Sequence, residues 1–170
     1  MSEFDPGTED HGSYEEPTYE EPTHDEHVVV AQFTDGSQIG VADYDHDGYA
    51  DVLASDEDGD GRPEVVYTDE HGGPALDTAY VDADENGAPE HVYVDSNEDG
   101  IVDAEAHDTN HDGRLDVAAL DTNYDGHVDE VRYDPNGDGE IDKTVTDENY
   151  DGVPDTVHYG DPDTNPYARA

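Results

Sequence analysis

Apolar residues in this chain come in short runs, separated by acidic, glycine-bearing gaps of constant length. The most apolar run is His27 to Phe33, with Val28, Val29 and Val30 at its centre. Its composition predicts a strand. Asp35-Gly36 marks a turn, and Ser37 to Ala42, with Ile39 and Val41, predicts a second strand. From Asp43 to about residue 160 the pattern then repeats every thirteen residues. Aspartate opens nine consecutive copies, at Asp43, Asp56, Asp69, Asp82, Asp95, Asp108, Asp121, Asp134 and Asp147. Each unit reads D-x-[DN]-x-[DN]-G-x-x-[DE] followed by four residues of strand-like composition, such as Val65-Val66-Tyr67 or Val117-Ala118-Ala119-Leu120. No run has helical spacing.

Position 11 of the unit is mainly apolar (Leu53, Val66, Ala79, Val92, Ala118, Val131, Val157) and position 13 partly so. Residues two apart share one face of a strand, so these columns predict a single apolar face. Tyrosines at position 12 (Tyr67, Tyr80, Tyr93) predict a packing stripe, while Glu105 and Thr144 interrupt the apolar column. The elements give an all-β tandem-repeat array in which each unit packs on its neighbours. Two architectures share this period. One is a calcium-stabilised solenoid, a parallel two-sheet β-roll with two copies per turn. The other is an antiparallel meander in which each loop is a hairpin turn. The roll is preferred, because it gives the apolar column a partner sheet.

The organisation follows. Residues 1–26, acidic and with Tyr-Glu-Glu-Pro-Thr doubled at 14–18 and 19–23, read as a disordered arm. Residues 27–42 form a capping strand pair, 43–160 the repeat array, and 161–170 a tail. In that tail Asp161, Asp163 and Asn165 are followed by Pro166, an exit turn.

Charge changes the picture of what holds such an array together. The 170 residues include 49 acidic side chains and 5 basic ones, a formal net charge of -44, and Val, Leu, Ile and Phe together number 26. Little apolar surface is available for burial, and like charges oppose any compact state. Nucleic acid is excluded as a partner, since phosphate would be repelled. Cysteine is absent, which removes disulfides and thiolate chemistry. No apolar run is long enough for membrane insertion. The start, Met1-Ser-Glu-Phe-Asp-Pro, carries no recognisable secretory signal. Acidic pairs occur everywhere without a nucleophile or phosphate loop beside them, so the chain reads as a non-enzyme.

The repeated acids instead have the spacing of a hard-cation loop. Calcium takes six to eight oxygens, and a tight turn can bring positions 1, 3, 5 and 9 and the position-7 carbonyl onto one ion. The first copy offers Asp43, Asp45, Asp47 and Asp51 with the Tyr49 carbonyl. The second offers Asp56, Asp58, Asp60 and Glu64 with Arg62, and the fourth Asp82, Asp84, Asn86 and Glu90 with Ala88. The next two offer Asp95, Asn97, Asp99 and Asp103 with Ile101, then Asp108, Asn110, Asp112 and Asp116 with Arg114. The last three offer Asp121, Asn123, Asp125 and Asp129 with His127, Asp134, Asn136, Asp138 and Asp142 with Glu140, and Asp147, Asn149, Asp151 and Asp155 with Val153. The third copy keeps Asp69 and Asp77 but has His71, Gly73 and Pro74 at positions 3, 5 and 6. It keeps the spacing without the ligands. About eight calcium ions are expected. The ten histidines are scattered over several repeat positions and read as solvated or strand-surface groups rather than a zinc site.

These loops resemble the tandem acidic calcium loops of thrombospondin type 3 repeats and the D-x-D-x-D-G-x-x-D loops of FG-GAP repeats. They are also similar to the first nine positions of an EF-hand loop, without its closing glutamate at position 12, where Ala54, Tyr67, Tyr93 and Arg132 stand here. The resemblance spans residues 43–159 and implies calcium binding by the residues named above, without catalysis. The expected role is a structural or adhesive segment, extracellular or at the cell surface, whose folding depends on calcium. The alternative is a soluble high-capacity calcium buffer or mineral-binding protein. Self-association or an unidentified surface partner stays open.

Overall fold

Short β-favouring runs between glycine-bearing turns fold here into short strands. The computed structural model describes residues 28–160. It contains β1 Val28–Gln32, β2 Gln38–Ala42, β3 Val52–Asp56, β4 Val65–Thr68, β5 Thr78–Val81 and β6 His91–Val94, then β7 Ala104–His107, β8 Val117–Leu120, β9 Glu130–Tyr133, β10 Lys143–Thr146 and β11 Thr156–Tyr159. The arm over 1–26, His27 and the tail over 161–170 lie outside the described residues. No described helix is long and apolar enough to cross a membrane.

All eleven strands join one sheet in chain order, each antiparallel to the next. The preferred two-sheet roll is therefore corrected to the meander. The physical reason lies in the loops. A parallel return needs a crossover of a dozen or more residues, whereas each acidic loop closes on itself between adjacent strands. The N–H of position 9 donates to the carbonyl of the residue preceding position 1, as in Asp103 to Val94 and Asp129 to Leu120, both 2.8 Å.

The register is invariant. Val52 faces Thr68 and Leu53 faces Tyr67 between β3 and β4. One unit later Val65 faces Val81 and Val66 faces Tyr80. Position 11 always lies opposite position 12 of the next strand, and directly paired residues share a face. The apolar column consequently changes face at every strand. Leu53, Ala79, Val131 and Val157 lie on one side, and Val66, Val92 and Ala118 on the other. The single apolar face and the tyrosine stripe are both corrected, since Tyr67 and Tyr93 share one face and Tyr80 occupies the other. Each face receives about half of the apolar column, and neither gains a partner sheet, because all the described strands lie in one layer.

Burial follows position along the sheet. Inner strands are half-buried by neighbours on both sides, while β1 is exposed throughout. Loops of odd and even copies line opposite edges, forming two rows. Within a row, the N–H of position 1 donates to the position-9 carbonyl two copies earlier, as in Asp121 to Asp103 at 2.7 Å. A second tie comes from position 7, where Arg62 Nη1 donates to the Glu85 carbonyl at 2.8 Å and Arg114 repeats the contact on Gly137.

The glycine at position 6 carries the turn. Gly126 has φ +87°, and a Cβ there would meet nothing within 4 Å, so its constraint is conformational alone. Gly126→Ala is expected to destabilise the protein by about 1–2 kcal/mol through the left-handed backbone. Gly40→Ala, in β2 with open space around its Cα, should instead leave stability equal or raise it by about 0.5–1 kcal/mol. Chemical denaturation of the two variants checks both signs.

Candidate functional site

The loops owe their shape to two left-handed residues each. Position 6 is glycine at positive φ in the eight intact copies, and position 4 is left-handed in all nine. At position 4 the residue is often not glycine: His46, Glu85, Glu98, His111, Tyr124 and Tyr150 have φ between 55° and 69°. With the backbone so bent, consecutive N–H groups turn toward the loop's own carboxylates.

The seventh copy shows the wiring. Asp121 Oδ2 accepts from the Gly126 N–H at 2.7 Å, and its Oδ1 from the Tyr124 N–H at 2.7 Å. Asn123 Oδ1 accepts from Asp125 N–H at 2.9 Å, and Asp125 Oδ1 from His127 N–H at 3.0 Å. Asp129 Oδ2 takes the Thr122 N–H and hydroxyl at 3.0 and 2.9 Å. The position-6 to position-1 bond recurs in all eight intact copies. At position 7 the recorded contact is an N–H: Tyr49, Arg62, Ala88, Ile101, Arg114, His127, Glu140 and Val153 each donate to the position-5 oxygen.

This wiring brings the predicted acids together to differing extents. Ligand oxygens of Asp43, Asp45 and Asp51 lie within 4.8 Å of one another, as do those of Asp56, Asp58 and Glu64. These are positions 1, 3 and 9. Position 5 stands apart in the first copy, and in the second Asp60 groups with Asp58 and with Glu85 of the fourth. In copies five to nine the Asn at position 3 offers an amide oxygen in place of a carboxylate, and no group of three acids or histidines gathers within one of these loops.

The burial of these acids runs against the usual order. Ala42 is the sole buried apolar side chain among the described residues, yet eleven acids are buried. Five stand at position 1 (Asp56, Asp108, Asp121, Asp134, Asp147) and six at position 9 (Asp77, Glu90, Asp103, Asp116, Asp129, Asp142). Burial pushes the Asp108 and Asp121 carboxyls up, but the sum of four backbone N–H bonds to each outweighs it and holds them below the ordinary range. Asp134 is less fully served. The Gly137 N–H goes to its main-chain carbonyl at 3.2 Å, and its buried Oδ1 has no hydrogen-bond partner. An unpartnered carboxylate oxygen is the kind of donor a divalent cation would take, although the acids of this loop, Asp134, Asp138 and Asp142, do not gather into a group of three.

The third copy closes differently. His71 Nδ1 meets Asp77 Oδ2 at 2.5 Å, so an imidazole occupies the loop that has lost its position-5 oxygen. Glu98, from position 4 two copies later, brings its carboxylate to the space a side chain on Gly73 would need. Sequence reasoning missed this use of position 4. It was legible only as a second column able to tolerate glycine, filled by Glu85, Glu98 and His111 in the middle of the array. It also missed position 8, where exposed apolar side chains stand beside the loops, Val102 and Val128 in one row and Leu115 and Ile141 in the other.

The bond to Asp77 raises the His71 pKa, and Asp77 itself is lowered because bonds from His71, Thr78 and Glu70 outweigh its desolvation. A raised histidine contributes stability fully below its unfolded value of about 6.5, and a lowered aspartate above about 3.9. The pair should therefore stabilise the third loop fully between those values. It weakens as pH rises through the His71 native value or falls through that of Asp77. His71→Gln is expected to cost more stability at pH 5 than at pH 9, measured by denaturation at both.

Comparisons with protein-family models, with curated proteins and with solved structures each find no match for this chain.

Proposed function

We propose that this is a calcium-binding repeat protein whose folding depends on calcium, serving as a structural or adhesive segment at the cell surface or outside the cell. The observation that carries the reading is the row of buried carboxylates at positions 1 and 9. Burying an ionised carboxylate costs several kcal/mol even after relaxation, unless a partner charge is present. The four described Lys and Arg side chains are engaged elsewhere. Arg62 and Arg114 donate to backbone carbonyls, Arg132 pairs with Glu130, and Lys143 lies over the Tyr133 ring at 3.8 Å. Backbone N–H groups supply partial charge, but each carboxylate keeps lone pairs for a further ligand. Oxygen-only sets at the spacing of positions 1, 3 and 9 suit a hard cation with bonds of about 2.3–2.6 Å, whose opposite ligands stand about 4.6–5.2 Å apart.

The energetics make the metal decisive. At about 1 mM calcium and a Kd of about 0.1 mM, each site adds ~1.4 kcal/mol. Eight sites give on the order of 11 kcal/mol, as much as the whole stability of an ordinary domain. At submicromolar calcium the contribution almost vanishes, which ties folding to a calcium-rich compartment. The role is binding and architecture rather than catalysis.

Native mass spectrometry tests the reading. About eight calcium ions per chain are expected at millimolar calcium, with the third copy left out because His71 closes it. A chain carrying no more than one or two ions under those conditions would overturn it.

A further inference from the structure

We propose that Asp84, Glu90 and His111 form a separate site for a borderline divalent transition cation of the zinc class, built jointly by the fourth and sixth copies. The proposal rests on the reading of the loops as cation sites and alters the assignment of one of them. Asp84 and Glu90 are positions 3 and 9 of the fourth copy, and His111 is position 4 of the sixth. Ligand atoms of all three lie within 4.8 Å of one another. The sixth loop is held on the fourth by the Asp108 N–H, which donates to the Glu90 carbonyl at 2.9 Å. A Cβ at Gly113 would lie 3.5 Å from that of Ala88, so the two turns are in contact.

The ligands are oriented before any ion arrives. Glu90 is only 5% exposed, with Oε2 held by the Ala83 N–H at 2.8 Å and Oε1 at the edge of reach of the Asn86 amide at 3.5 Å. Asp84 Oδ1 accepts from the Asn86 N–H at 3.1 Å. Such outer contacts orient metal ligands and tune their affinity. Two carboxylates and one imidazole make a mixed oxygen and nitrogen set of three, leaving a fourth place for water, as an open zinc site has. Calcium prefers oxygen alone, whereas imidazole suits zinc, copper, nickel and iron.

The repeat geometry explains why this copy differs. Position 4 of one loop reaches the loop two copies earlier, and its identity sets the ligand chemistry there. Glu85 brings a third oxygen group to Asp58 and Asp60 of the second copy. His111 brings a nitrogen to the fourth. His46, the other histidine at position 4, belongs to the first copy and has no repeat loop two copies before it.

The test is native mass spectrometry of the full chain with saturating calcium and added zinc chloride, so both metals are counted in one spectrum. One zinc ion should replace one calcium ion in the unaltered chain and in His46→Ala. In His111→Ala that zinc should be lost and the calcium regained. Nitrogen-15 NMR gives a direct check without a variant, since zinc should shift the His111 ring nitrogens. Zinc retained by His111→Ala, or no zinc beside a full set of calcium ions, would overturn the proposal while leaving the calcium reading intact. Absence of both metals would overturn both.

Discussion

Everything in this structure depends on negative charge held out of water. Apart from Ala42 and Thr78, the buried side chains among the described residues are acids at the first or ninth position, at least one in every repeat but the first, and not the valines of the strands. Such an interior costs stability unless opposite charge or hydrogen bonds meet the carboxylates. The five basic side chains cannot supply that charge for 49 acids. Backbone N–H groups do part of the work, because two left-handed residues per loop turn them inward. Eight divalent ions would do the rest, carrying the formal charge from -44 to -28.

The sheet serves this arrangement. Strands of four or five residues are too short to make a core of their own, and the thirteen-residue period sends the apolar column to alternate faces. Each face is then moderately apolar and half-exposed, which suits a single layer. The strands fix the spacing between loops, while the invariant register puts every loop directly on the loop two copies before. That stacking lets a position-4 side chain act in a neighbouring site. It also makes the array quasi-one-dimensional, with stability gained at each junction between neighbouring units.

Much of this was legible in the sequence. Strand content, the lack of helices among the described residues, the β1–β2 hairpin and the loop boundaries all followed from composition and period. The direction of the strands did not, because copies are equivalent in both a roll and a meander. The choice turned on an apolar column assumed to keep one face. In fact Leu53 and Val66 point to opposite sides, since an antiparallel step at this register reverses the alternation. Of the candidate site, the spacing of positions 1, 3 and 9 was legible, and these acids gather in the first two copies, whereas position 5 does not join them there. Glu85, Glu98 and His111 were not, because their partners lie in another copy and only stacking brings them there. The substitution of His71 for a ligand was visible as a departure, but its bond to Asp77 needed coordinates.

The central claim is that cations hold the acidic interior together, and small-angle scattering with circular dichroism on the full chain, before and after complete metal removal by chelator, tests it most directly. The account predicts a compact β particle in millimolar calcium that expands and loses its β spectrum in chelator, then recovers when calcium is restored. An unchanged compact β spectrum in the metal-free protein would contradict it.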